Sequence, residues 1–340
     1  HRPRPPCSGL MTAREANLSA TLRSTPFAVA LALAGVAMIA WECGGTTVPD
    51  LTALRSFLLP SPNLWFAGSP ATGCFVNLAC LAAVAMLMVW INARFSVVRD
   101  YSATFIGFFL VMTAATPIAV AAFTGATMLA LVVLAAVAML MSVYSEPRLS
   151  RRIFLAFYVV AVASFTQYAF VAYAVIFVAG LIQLRAFTER SLTAALLGIA
   201  AAPLPAICLA LWLGIDGLRR PEIVNIYQSW AGEDIVRLWV TVGFTIVFGS
   251  ALGIVNLLKI YSLNARSRAL NGLLSTVSFI TAAMTVIDFT NMPVYIVLLN
   301  ALTAFQANYF MKLYERRRSY LLVLALPVVY VGFFAWMAAV

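Results

Sequence analysis

Long apolar runs separated by short polar stretches set the pattern of this chain. Runs at 26–41, 71–91, 102–120, 126–144, 192–213, 235–258, 269–287, 293–311 and 320–340 are apolar almost without interruption. Each approaches the ~20 residues that a helix needs to cross a ~30 Å hydrocarbon layer. None alternates apolar and polar positions as a barrel strand does. The stretch 153–184 holds 32 residues without a charge. As one helix it would be about 48 Å long. Two helices turning near Thr166, Gln167 and Tyr168 fit better, with one steeply tilted helix as the alternative. Pro203 and Pro205 kink or end the run they occupy. The pattern predicts an all-α, polytopic transmembrane bundle of about eleven helices.

Charge decides the orientation. With the N-terminus in the cytoplasm, 18 of the 22 Lys and Arg fall on inner segments, leaving only Arg55, Arg219, Arg220 and Arg237 outside. That asymmetry is the positive-inside pattern, and it puts the C-terminus outside. It also favours dividing 153–184, because a single helix there would invert every later segment. Residues 1–24 are then a cytoplasmic segment, and 1–10, rich in Pro and Arg ahead of Met11, read as upstream of the native start. Residues 25–340 form one transmembrane domain with two long external loops, 42–70 and 214–234.

Composition agrees. The 340 residues are 63% hydrophobic and 10% charged, too apolar for a water-soluble core of this size. The net charge of +10 is accounted for by inner loops, so it does not argue for nucleic acid. There is no phosphate-binding glycine loop and no nucleotide or metal motif, and no cofactor is expected. The cysteines, Cys7, Cys43, Cys74, Cys80 and Cys208, show no metal-ligand spacing. Cys43 and Cys74 flank the first external loop, and their pairing as a disulfide stays open.

Candidate chemistry is sparse. Glu42 and Asp50 are the acidic residues of the first external loop, and either carboxylate can serve as a general base. The competing reading of Glu42 is a solvated helix end. Arg219 and Arg220 are the only adjacent external cations, on a loop with Tyr227 and Trp230 that has the spacing of an interfacial helix. They suit a lipid phosphate, or plain headgroup anchoring. Glu233 and Asp234 precede a helix as N-terminal caps, and Asp288 caps the turn at Asn291. Inside the apolar runs the polar candidates are Asn77, Gln167, Asn300, Gln306 and Asn308. Buried carboxylates of the kind used by ion-coupled pumps are missing there.

The segment INARFSVVRDYSATFIGFFLVMTAATP at 91–117 resembles a recurring feature of a family of uncharacterised polytopic bacterial inner-membrane proteins. The same pattern recurs at Tyr144-Ser145-Glu146-Pro147 through Ile153-Phe154, in 164–184 up to Arg185, and weakly at Asn308-Tyr309-Phe310. It covers most of 70–320, and it implies an inner-membrane location without a known activity. A looser resemblance is to membrane glycosyltransferases that use polyprenyl-phosphate sugars. It implies an acidic residue at Glu42 or Asp50 and phosphate binding at Arg219 and Arg220. The chain lacks that class's paired acidic motif after the first helix, and its first loop is short. Three readings remain: a protein of lipid-linked glycan assembly, a transporter or flippase for a neutral or lipidic substrate, and a non-catalytic scaffold. Membrane lipid, with a lipid-linked phosphate as substrate, is the expected partner; whether the chain is an enzyme stays open.

Overall fold

A computed structural model describes residues 13–45, 61–62, 65–66, 68–98, 104–146, 149–213, 232–314 and 316–339. Among them every regular element is helical. The chain runs through α1 (Ala13–Arg23), α2 (Thr25–Gly45), α3 (Pro70–Phe95), α4 (Thr104–Ala114), α5 (Pro117–Val120), α6 (Gly125–Met141), α7 (Ser150–Ser164) and α8 (Ala169–Gln183). It continues through α9 (Glu189–Ala201), α10 (Pro203–Leu213), α11 (Gly232–Lys259), α12 (Ala265–Ile287), α13 (Met292–Leu313) and α14 (Arg317–Ala338).

Local chemistry sets the ends. Thr124 caps α6 by accepting from the Ala126 N–H, Thr188 and Ser191 form a reciprocal capping box at α9, and Asn264 accepts from the Ser267 N–H at α12. α3 stops where Ser96 turns left-handed at φ 53° and donates its N–H to Asn92. The stretch 153–184 is two helices, α7 and α8, joined at Phe165–Tyr168. Two prolines interrupt other runs. The run 102–120 breaks before Pro117 into α4 and α5, and 192–213 breaks at Ala202 before Pro203.

Six helices, α2, α3, α11, α12, α13 and α14, are long and apolar enough to cross a membrane. α4, α6 and α8 are equally apolar but only 11, 17 and 15 residues long. Large apolar side chains are exposed along the helices, among them Trp41, Phe75, Val175, Trp212, Val247 and Val328.

The core is organised around α13. Every residue of 292–311 is buried, because α4, α6, α11, α12 and α14 pack around it. It is also the least apolar of the six long helices. A helix surrounded by protein can carry Gln306 and Asn308, since neighbouring side chains satisfy what lipid cannot. Elsewhere small residues bring helices close. A Cβ at Gly35 would stand 2.6 Å from the Leu110 Cβ, and one at Gly107 would stand 2.7 Å from the Leu31 Cγ, so α2 and α4 meet glycine to leucine twice.

One expectation changes. The first external loop does not begin at residue 42, because α2 continues to Gly45 and carries Glu42 within its last turns. Within the N-terminal segment, Ala13–Arg23 form α1, which packs against α2 and α14 and buries Ser19 and Leu22.

Candidate functional site

A belt of buried polar groups joins four helix junctions at the end of the bundle where α2 finishes and α3 begins. It starts at Asn77 on α3. The Asn77 Nδ2 donates to the carbonyls of Ala119 (3.0 Å) and Val120 (2.8 Å), and its Oδ1 accepts from Thr127 on α6 (2.5 Å). The break at Pro117 leaves α5 a single turn, and Asn77 takes two of its late carbonyls.

The first turn of α6 leads to Gln167, in the connection between α7 and α8. Gln167 is fully buried against Gly125, where an added Cβ would collide with its Oε1. Neither its Nε2 nor its Oε1 has a hydrogen-bond partner among the described residues. A buried amide with donor and acceptor both unspent carries a desolvation cost of about 1–3 kcal/mol per group, so it marks a position where a ligand's polar atoms would be welcome.

Beside it, Tyr168 donates to Asp288 Oδ1 at 2.8 Å, bridging the α7–α8 connection to the α12–α13 turn. Asp288 is the centre of that turn. Tyr295 donates to its Oδ2 at 2.9 Å, Asn291 Nδ2 donates to both oxygens at 3.1 and 3.3 Å, and Thr290 donates at 3.4 Å. Burial, and then the Asp288 carboxyl, pushes the Tyr168 hydroxyl up from its ordinary value, so it remains a donor. Asp288 caps its turn through the Asn291 side chain rather than through a backbone N–H. One turn inward, Tyr173 on α8 pairs with Thr281 on α12 at 2.9 Å.

A second polar seam lines α13. Asn256 Nδ2 on α11 donates to the Gln306 carbonyl (3.0 Å) and Oε1 (2.9 Å), and Gln306 Nε2 donates to Ser275 on α12 (3.1 Å). Thr104 on α4 donates to Asn308 Oδ1 at 2.9 Å. Asn256 Oδ1, and Asn300 Nδ2 and Thr303 Oγ1 one to two turns before Gln306 on α13, are buried with no partner among the described residues. At the far end Lys312 donates to the Val97 carbonyl at 2.9 Å, and Lys259 donates to the carbonyl of Leu313 and lies 4.4 Å from the Tyr314 ring centre. Both lysines tie inter-helix connections, a structural task.

Of the acidic and basic residues singled out from the sequence, Glu42 is described and is 2% exposed. It is therefore not a solvated helix end. Asp50, Arg219, Arg220, Tyr227 and Trp230 lie outside the described residues, as does the interfacial helix expected around the last four. Of the amides, Asn77, Gln306 and Asn308 are engaged in helix-to-helix bonds, while Gln167 and Asn300 keep unspent groups. Asp288 is the centre that the sequence reading undervalued. Its signal was a carboxylate at the junction of two apolar runs with Thr290, Asn291 and Tyr295 following it. Among the described residues no cluster of three or more His, Cys, Asp or Glu can hold a metal ion.

No protein-family model matches the chain, and no curated protein and no solved structure matches it significantly.

Proposed function

We propose that this chain is a bacterial inner-membrane protein that crosses the bilayer eleven times, N-terminus inside and C-terminus outside. Its outer-end belt takes a neutral, hydroxyl-rich headgroup of the kind carried by a lipid-linked sugar. Eleven crossings follow if the six long helices are joined by α4 with α5, by α6, α7 and α8, and by α9 with α10. Shorter helices suffice where protein surrounds them, because a modest mismatch with the bilayer costs little. The outward placement of the belt rests on the Lys and Arg asymmetry.

The observation that carries the headgroup reading is Gln167, wholly buried with donor and acceptor both unspent. A side-chain amide pairs naturally with adjacent sugar hydroxyls, giving and accepting at once. Tyr168, the next residue, donates to Asp288 and so fixes the α7–α8 connection beside Gln167 to the α12–α13 turn. Glu42 and Asp50 as bases, and Arg219, Arg220, Tyr227 and Trp230 as the phosphate-side contacts, complete the reading as an assembly enzyme. The line of unspent groups at Asn256, Asn300 and Thr303 favours a second reading, passage of a neutral substrate along α13. A scaffold requires neither feature.

The test is binding of a short-chain polyprenyl-phosphate monosaccharide to the full chain in lipid nanodiscs, followed by native mass spectrometry. Gln167→Leu is expected to weaken binding at least tenfold, about 1.4 kcal/mol, with the thermal midpoint kept. Equal binding by the wild type and the variant would end the headgroup reading. Loss in Asn300→Leu rather than Gln167→Leu would move the site to α13.

A further inference from the structure

Cys43 ends the membrane-crossing part of α2, and Cys74 lies in the first turns of α3. Their sulfurs stand 3.1 Å apart. That is inside ordinary sulfur–sulfur contact and about 1 Å longer than the ~2.05 Å of a disulfide bond, so small side-chain rotations close it. Both are free thiols here, Cys43 exposed and Cys74 half-buried. Cys80 and Cys208, the other described cysteines, have no sulfur partner of this kind.

We infer that Cys43 and Cys74 are a disulfide site, oxidised on the outer side of the membrane by thiol–disulfide exchange. The chemistry balances with one co-reactant, a disulfide-carrying oxidoreductase. One of the two thiolates, Cys43 or Cys74, attacks one sulfur of the carrier's disulfide and releases a carrier thiolate. The thiolate of the other cysteine then attacks the protein's sulfur in the mixed disulfide and displaces the carrier's second thiolate. Two protons leave the protein's thiols and two are taken up by the carrier, which departs as a dithiol. The protein loses two electrons and the carrier gains them. The new bond closes a segment of 31 positions between α2 and α3, which holds the end of α2 against the end of the bundle where the polar belt lies. An oxidising compartment is required, so the inference rests on the outward orientation proposed above.

Thiol counting on the full chain in intact cells tests it. Free thiols are blocked with N-ethylmaleimide, the protein is denatured and reduced, and newly released thiols are tagged with polyethylene-glycol maleimide. The wild type and Cys80→Ser are expected to gain two tags; Cys43→Ser, Cys74→Ser and the double variant gain none. Tags retained in the double variant would assign the bond to other cysteines and overturn the inference. If the wild type gains none, oxidation of isolated membranes with copper–phenanthroline separates the causes. Two tags there would place the pair on the reducing side and sink the inference together with the orientation. None there would overturn the inference alone.

Discussion

Asn77 holds α5 and α6 to α3 with both of its amide hydrogens and its oxygen, donating to Ala119 and Val120 and accepting from Thr127. Its replacement is expected to be structural in effect. Asn77→Ala removes three bonds and leaves two carbonyls facing an apolar wall, a loss of roughly 1–3 kcal/mol. A lowered midpoint of thermal unfolding in detergent checks this. An unaltered midpoint would show that the three bonds are replaced elsewhere. Asp288 answers differently, because several donors share its carboxylate. Tyr168→Phe leaves Tyr295, Asn291 and Thr290 in place, whereas Asp288→Ala strips a partner from all of them. The alanine variant is expected to lower the midpoint by more than Tyr168→Phe and Tyr295→Phe combined, which a double-mutant series measures.

At the scale of the element, helix contacts depend on what has been left off the surface. Gly35→Leu drives a side chain into the Leu110 backbone across the α2–α4 contact, and overpacking of this kind costs about 1–3 kcal/mol. Gly332→Ala in α14 meets nothing within 4 Å, so it is expected to be neutral or mildly stabilising through helix propensity. Thermal midpoints of the two variants should move in opposite directions, or one should move and the other stay. The existence of these helices was legible in the chain, because lipid demands unbroken apolar length and the runs supply it. Their radial order was less so. An apolar run does not say whether lipid or protein faces it, which is why Glu42 reads as a solvated end and lies buried. In α13 the polar Asn300, Gln306 and Asn308 stood out in the sequence, but only the packing shows that the helix is surrounded by protein. The break at Pro117 was hidden because apolar residues continue on both sides of it. The Tyr168–Asp288 bond and the Cys43–Cys74 contact are products of distant chain segments meeting, so the sequence could name the residues but not join them.

For the whole molecule, orientation is the first quantity to measure, since the belt, the two unequal sets of basic residues and the cysteine pair all depend on it. Alkaline phosphatase fused after residue 340 is expected to be active, because that enzyme folds only in an oxidising compartment. The same reporter fused after residue 145, between α6 and α7, is expected to be inactive. The reversed result would invert the bundle and put the belt in the cytoplasm. The central position of α13 also bears on how the chain is made. Synthesis runs from the N-terminus, so α4, α6, α11 and α12 are made before α13 emerges. The least apolar of the six long helices is therefore made last but one, after four of the five helices that surround it and before α14. Until it arrives, Asn256 and Ser275 lack the Gln306 partner they have in the finished bundle. A nascent chain stalled or truncated before residue 292 would display that polar seam to membrane proteases, giving the cell a point at which to discard it.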